Sequence, residues 1–387
     1  MTTSEVPVDD GTDEDASGIG VEVGAPPGPD EDSLLQRLGQ LWIAVGVLAL
    51  ALIVLVIAIT GTDSRFSKVG IALLVGVFGI FAVFWAMDTV VDWLPAGWRE
   101  SVRPYVFVGP ALVLLGIFLV YPVFNTIYLS LRDANGDEWV WFENFEFVFT
   151  DESMLRSIRN TFGWILFVPV VSTTIGLAFA SLADRLNRGE SVAKSLIFLP
   201  MAISFVGAAV VWQFVYNYRP EGFGSNIGLL NGIWGAFGGD PVSWLTLQPW
   251  NNFMLMFIMI WMQTGFAMVV LSAAIKAVPD EIEEAARIDG ASEWQVFMRI
   301  IVPSILPTIV VVSTYMVINA LKVFDIVFVM GSTEANGTEV IAERMIRNYF
   351  LGSNSGRGAA IAAILFIAVI PVMIWNIRQF RRQEALR

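Results

Sequence analysis

Four carboxylates at Asp280, Glu281, Glu283 and Glu284, a glycine at 290 and apolar side chains at Trp294, Phe297, Met298 and Ile301 fall in one stretch, VPDEIEEAARIDGASEWQVFMRIIVPSILP. These residue types offer docking chemistry. Pro279 suits a first helical turn, and the acids suit the positive N-terminal end of that helix. Gly290 can take the left-handed conformation that stops it. Ser292 and Gln295 then have capping-box spacing for a second helix, on which Trp294, Phe297, Met298 and Ile301 lie close to one face. A helix, a glycine turn and an amphipathic helix result. Such an element either rests its apolar face on a membrane or inserts it into a groove on another protein, and periodicity alone does not choose.

A second set could hold a solute. Gln263 and Phe266 share a helix face at i,i+3, and Asn319 and Lys322 do the same further on. Amides and charges suit hydroxyl groups, and an aromatic face suits the C–H surface of a sugar ring. Polar groups inside hydrocarbon are costly and usually face a bundle interior or a water-filled path, which nominates these four. Gln263 and Asn319 also suit interhelical hydrogen bonding, and Lys322 suits snorkelling to an interface. No catalytic set is expected: cysteine and histidine are both absent, which removes thiolate chemistry and the usual proton shuttle. Met254, Met256, Met259 and Met262 are read as adaptable packing and not as a soft-metal ladder, so no metal site is expected.

The elements that must position these residues are membrane spans. Of 387 residues, 56% are hydrophobic and only 15% charged, more apolar side chain than a soluble domain can bury. Apolar stretches long enough to cross a bilayer fall at 41–60, 69–91, 106–129, 162–182, 193–216, 253–275, 305–328 and 359–375. About eight transmembrane helices in an all-α membrane protein are therefore expected. Placing the N-terminus inside puts Arg99, Arg103, Arg185, Arg188, Lys194, Lys276, Arg287, Arg299 and the C-terminal arginines on the cytoplasmic side, as the positive-inside rule favours. Both termini are then cytoplasmic. Arg65, Lys68, Arg344 and Arg347 run against this orientation. The net charge of −13 argues against a nucleic-acid partner, although much of it lies in an acidic N-terminal tail, 1–38, read as disordered. Residues 39–92 form a leading pair of helices, 104–382 a core, and 276–303 a cytoplasmic loop inside that core. Loops 132–151 and 218–250, which carry Trp139, Trp141, Trp234 and Trp244, face outside and could receive a partner or anchor helix ends.

The cytoplasmic stretch resembles the EAA loop of binding-protein-dependent ABC importer permeases. Glu284-Ala285-Ala286, then Gly290, then Ile300 with Val302-Pro303 behind it have the family spacing, with Val302 where leucine is usual. Asp289-Gly290-Ala291, Phe297 and Pro307 resemble the fuller form in sugar permeases of the maltose, trehalose and α-glucoside type. The residues 321–325 and the loop at 226–231 and 243–245 also look like sugar permeases, whereas 331–337 lacks their usual Thr-Gly-Gly-Gly-Pro run. The resemblance implies a six-helix type I ABC importer core preceded by two extra helices. It implies a non-catalytic transport subunit in a bacterial cytoplasmic membrane, working by alternating access. It further implies a second permease subunit, two copies of a cytoplasmic ABC ATPase that hold ATP and Mg, and an extracytoplasmic solute-binding protein. Glu284, Ala285, Ala286, Asp289, Gly290, Ala291, Phe297 and Pro303 would couple to the ATPase. No GxxxxGK[ST] loop is present, so nucleotide belongs to a partner. Alternatives are an ABC permease for a non-sugar solute, or an ion-driven secondary transporter, which would call for acidic groups buried within the spans.

Overall fold

The computed structural model describes residues 65–92 and 96–384 apart from 187, 221, 223, 225–226 and 332–335, together with isolated helical positions between 39 and 56. The acidic tail, most of the expected 41–60 span and part of the 226–231 motif lie outside the described residues. Among the described residues the chain is helical and contains no β-strand, only an isolated bridge between Arg132 and Trp139. The chain divides into two compact units, Met1–Leu119 and Val120–Arg387.

In the first unit α1 (Arg65–Asp92) packs against α2 (Ala96–Leu115). Arg103 donates to Asp88 at 2.8 Å, and Phe84 stacks on Phe107 at 5.8 Å. The Asp88 carboxylate is thus neutralised within its own helix pair.

The second unit comprises α3 (Tyr121–Ser130), α4 (Glu143–Thr150), α5 (Glu152–Asp184), α6 (Glu190–Phe198), α7 (Phe205–Val215), α8 (Leu229–Ala236), α9 (Trp250–Ile275), α10 (Asp280–Ile288), α11 (Glu293–Val296), α12 (Leu306–Leu321), α13 (Asp325–Val329), α14 (Ile341–Ile346) and α15 (Ser355–Glu384). Four helical runs are long and apolar enough to cross a membrane, Trp98–Ser130, Glu152–Asp184, Trp250–Ile275 and Ser355–Trp375, and two bent pairs bring the total to as many as six among the described residues.

One bent pair falls inside an expected span, and the other falls where the expected cytoplasmic helix meets the start of the expected 305–328 span. The 193–216 stretch turns by 99° between Ala202 and Phe205. Pro200 removes a backbone donor and tightens Leu199–Ala202 into a 3₁₀ turn, and the Ser204 hydroxyl, accepting from Gly207 N at 3.0 Å, starts a new helix. The second pair bends by 68° at Ile305, between Glu293–Ser304 and Leu306–Leu321, with Pro303 and Pro307 on either side. The 305–328 stretch also ends early, at Leu321, and resumes as α13.

The centre of the second unit is the parallel pair α5 and α9. A Cβ built on Gly176 would lie 2.4 Å from Ala267 Cβ, and one on Gly265 would lie 2.5 Å from the Ile197 carbonyl oxygen. Glycine is needed at both crossings because the backbones meet there, which is how helices associate in lipid, where apolar burial brings no advantage. Around this pair lie two apolar clusters. One gathers Trp164, Ile258, Met259, Ile326 and Val340; the other gathers Met268, Leu271, Val296, Ile301, Val312 and Met316. The methionines on α9 pack in the first cluster.

Candidate functional site: a self-supporting helix pair at one end of the bundle

At the C-terminal end of α9 the chain leaves the bundle and forms α10, a turn and α11. Pro279 is the N-cap of α10, one position before the first helical turn expected for it, with extended ψ of 132°. The stop is a complete Schellman motif: Gly290 N donates to Arg287 O at 3.1 Å and Ala291 N to Ala286 O at 3.0 Å, with Gly290 at φ +84°. Ala286 and Ala291 also both pack on the second apolar cluster, so a larger side chain at either would lift the turn from the bundle. Asp289 is the C-cap, and its N–H donates to the Ala285 carbonyl at 3.0 Å.

α11 opens with the expected capping box: Gln295 Oε1 accepts from Ser292 N at 2.8 Å and Ser292 Oγ accepts from Gln295 N at 3.4 Å. Arg287 ties the two helices together, donating to Glu283 at 3.0 Å and Glu293 at 2.8 Å. The Glu293 carboxylate raises the already high pKa of Arg287, so this tie is insensitive to pH in the ordinary range.

The apolar face of the second helix is divided. A π-turn at Phe297–Ile301 inserts an extra residue, and Val296 and Ile301 go inward, Phe297 half-buried beside them. Trp294 is left 66% exposed and Met298 45% exposed. With Ile288 at 86% exposure, the turn presents an apolar edge that nothing in this chain covers among the described residues. Glu284 is exposed on the same element, and Pro303 is exposed in the short helix that follows.

The second candidate set is only partly brought together. Gln263 is 3% exposed, and its carboxamide oxygen accepts no hydrogen bond among the described residues. An enclosed, unpaired acceptor costs about 1–3 kcal/mol. Phe266 packs on Tyr315 at 4.6 Å, and Asn319 donates to the Tyr315 carbonyl at 3.0 Å. Asn319 and Lys322 line a recess of about 50 Å³ with Phe205 and Met259, room for a water or two and far too small for a sugar ring, and Gln263 and Phe266 do not line it. Tyr315, one turn from Asn319, joins the two pairs and was not singled out from sequence.

Sequence reasoning also missed a charge cluster beneath the helix pair. Asp184 at the end of α5, Glu190 and Lys194 on α6, and Ser272 and Lys276 at the end of α9 meet there. Lys194 Nζ lies 2.6 Å from Asp184 Oδ1 and 2.6 Å from Glu190 Oε1, and Ser272 Oγ donates to Asp184 at 2.7 Å. Lys276 bonds Glu190 and lies 3.8 Å from Asp184. The available signal was the i,i+4 spacing of Glu190 and Lys194.

At the opposite end of the bundle, Arg347 donates to the buried Glu343 at 2.7 Å, and Arg156 lies 3.9 Å from the buried Glu339. Arg347 is therefore an ion-pair partner, which weakens it as a counter-example to the positive-inside orientation.

Comparison with known proteins places this geometry. The alpha-glucoside transport system permease protein AglF of Rhizobium meliloti is 47% identical over 81% of this chain and 97% of its own length. The osmoprotective compounds uptake permease protein GgtC of Synechocystis is 53% identical over 73% of this chain and all of its own length. The trehalose/maltose transport system permease protein MalF of Thermococcus litoralis is 28% identical over 74% of this chain and 96% of its own. In fold, the chain resembles one from a bacterial ABC transporter involved in the import of the acidic polysaccharide alginate, with a TM-score of 0.64 and 24% identity over 74% of this chain and 97% of that one. Residues 172–382, which carry the helix pair, its exposed edge and the α5–α9 crossing, match the binding-protein-dependent transport system inner membrane component family, and this chain belongs to it.

Proposed function

We propose that this chain is the membrane-spanning permease subunit of an ABC importer for a carbohydrate, with an α-glucoside such as maltose or trehalose as the favoured solute. The observation that carries the coupling part is the helix pair. Its Schellman turn, capping box, Arg287 ties and the packing of Val296 and Ile301 on the bundle hold it in shape, yet it leaves Ile288, Trp294 and Met298 exposed. A rigid element with an apolar edge fits a groove on a cytoplasmic ATPase. Glu284 is free to make a polar contact there, and Gly290 sets the turn that both helices need. Asp289, Ala285, Ala286, Ala291, Phe297 and Pro303 hold the shape. Two ATPase copies, which carry ATP and Mg, close on nucleotide and push the pair, and rigid packed helices convert that push into opening at the far end. A second permease supplies the other half of the path, and an extracytoplasmic binding protein delivers solute. The solute-binding protein in the alginate transporter complex supports that last partner. The helix pair, both termini and the positive-inside arginines then lie on the cytoplasmic side of a bacterial cytoplasmic membrane.

The carbohydrate class is supported by the named solutes of the Rhizobium and Thermococcus relatives. The buried, unpaired Gln263 oxygen supports a path along α9 and α12, for which Phe266, Asn319 and Lys322 are the further candidates, the first two meeting at Tyr315. A small osmoprotective solute is the second reading, favoured by the 53% identity to the Synechocystis relative.

The test is solute-stimulated ATP hydrolysis by the reconstituted transporter, wild type against Gly290→Pro. Proline cannot take φ +84° and removes the N–H that bonds Arg287 O, so stimulation by an α-glucoside should disappear. Full stimulation in the variant would refute the coupling role, and wild-type stimulation by osmoprotectants but no α-glucoside would move the solute class to the second reading.

A further inference from the structure

Three helix ends converge under the coupling pair: the C-terminus of α5, the N-terminus of α6 and the C-terminus of α9. Beyond the apolar packing of Ala180, Leu271 and Ile197, what joins them at their tips is ionic. Two ammonium groups, Lys194 and Lys276, face two carboxylates, Asp184 and Glu190, and the Ser272 hydroxyl bonds both Asp184 and Lys194. The four charges cancel. They are only partly withdrawn from solvent, with side-chain exposures of 13% for Asp184, 18% for Lys194, 30% for Glu190 and 53% for Lys276.

The cluster faces the coupling pair across a recess of about 280 Å³ lined by Asp184 and Lys276 on one side and Asp280, Glu283, Arg287 and Glu293 on the other. Arg185, next to Asp184, lies 3.9 Å from Glu293 on α11. The coupling pair thus meets the bundle through the apolar cluster, by Val296 and Ile301, and reaches the ion cluster through the neighbouring Arg185. Unlike the interdigitated apolar clusters, ion pairs with partial water access can exchange partners: Asp184 already has Lys194 at 2.6 Å and Lys276 at 3.8 Å.

We infer that Asp184, Glu190, Lys194 and Lys276 form a positioning network that sets the spacing of these three helix ends, and that it makes ATP hydrolysis responsive to solute. Asp184 is the central member, because it alone touches Lys194, Lys276 and Ser272. Without it the two ammonium groups are left with one carboxylate, the ionic tie from the end of α5 to α6 and α9 is lost while the Gly176–Ala267 crossing still holds α5 on α9, and a signal arriving along α9 no longer fixes the coupling pair. This rests on the coupling role proposed above.

The experiment uses the complete transporter, both permeases, the ATPases and the binding protein, in lipid nanodiscs. The ratio of solute-stimulated to basal ATP hydrolysis is measured for wild type, Asp184→Asn, Asp184→Glu and the exchanged pair Asp184→Lys with Lys194→Asp. The ratio should fall at least fivefold toward one in Asp184→Asn, with the ATPase still co-purifying, and recover to at least half its wild-type value in Asp184→Glu and in the exchanged pair. If Asp184→Asn does not assemble, Lys276→Met carries the test, since its side chain is half-exposed, and the ratio should fall at least threefold. A ratio within twofold of wild type in the assembled variant overturns the inference. So does a loss that neither Asp184→Glu nor the exchanged pair restores, which would mark Asp184 as structural only. Retained stimulation in Gly290→Pro would instead refute the coupling role itself, so the two failures are distinct.

Discussion

The two ends of the α5–α9 pair are held by different chemistry. At the N-terminal end, beside the buried Glu339 and Glu343 with their arginine partners, buried neutral side chains clasp backbone: Asn160 donates to the Gly337 and Glu339 carbonyls at 2.8 and 2.9 Å, Asn251 donates to the Asn336 carbonyl at 2.6 Å, and Thr161 accepts from Ile341 N at 3.0 Å. Asn160, Asn251 and Thr161 are all buried. At the C-terminal end, beside the second apolar cluster, the helices are joined by an ion cluster whose members run from 13% exposed at Asp184 to 53% at Lys276. A buried amide clasp has no alternative partner and is costly to open. A partly hydrated ion cluster has several arrangements of similar energy. The difference implies that one end is a fixed hinge for the loop at 336–341 and that movement is taken up at the other, under the coupling pair.

Variants at the clasp should therefore cost stability, and variants at the ion cluster should cost coupling. The largest stability effect is expected for Asn160→Leu, which strands two carbonyls at about 1–3 kcal/mol each, so a loss of about 2–6 kcal/mol in denaturant-induced unfolding in mixed micelles is expected. A loss below about 1 kcal/mol would mean the clasp is not fixed. Next is Gly176→Leu, where a side chain must enter a space in which even Cβ would lie 2.4 Å from Ala267 Cβ. Overpacking of this kind costs about 1–3 kcal/mol, and unchanged stability would show that α5 and α9 separate freely.

Lys276→Met should change unfolding by less than about 1 kcal/mol, because its ion pairs are half-exposed, while the stimulation ratio falls as described above. Comparable losses of both would erase the distinction between the two ends. The smallest effect is expected in the loop after α3, away from both. There Asp133 accepts N–H from Asp137 at 2.7 Å and Glu138 at 3.2 Å, and the Glu138 bond leads in holding its pKa below the ordinary value. Because the folded value is depressed, the order this carboxylate confers is complete above the unfolded pKa of about 3.9 and is lost as pH falls through the lowered value. Trp139 fluorescence should report an acid step that Asp133→Asn removes, with ATPase stimulation at neutral pH unchanged.

Much of the helix pair formed by α10 and α11 was legible in the sequence because its determinants are local. A glycine stop, a Ser292-to-Gln295 box and acids in a first turn act within a few residues of one another. The division of the apolar face was not legible, because the π-turn at 297–301 shifts the register of α11 and depends on what Val296 and Ile301 meet in the bundle. The span at 193–216 read as one helix by hydropathy, since a bend changes direction and not composition; Pro200 marked the place without giving the angle. The ion cluster was hidden for a different reason. Asp184, Lys194 and Lys276 sit on three segments, and in sequence they look like the solvated charges expected at span ends, where the two lysines count only toward orientation. The clasp is similarly non-local, pairing Asn160 with carbonyls some 180 residues away.

The central claim is that the exposed edge of the helix pair seats in an ATPase and does not lie on lipid. The chain has no cysteine, so Ile288→Cys gives a single attachment point at the most exposed apolar side chain of that edge. A short thiol-reactive photocrosslinker placed there in native membranes should yield one adduct with a cytoplasmic ATPase, and the yield should change when ATP is bound. Crosslinking to lipid alone, with no ATPase adduct in any nucleotide state, would contradict the account.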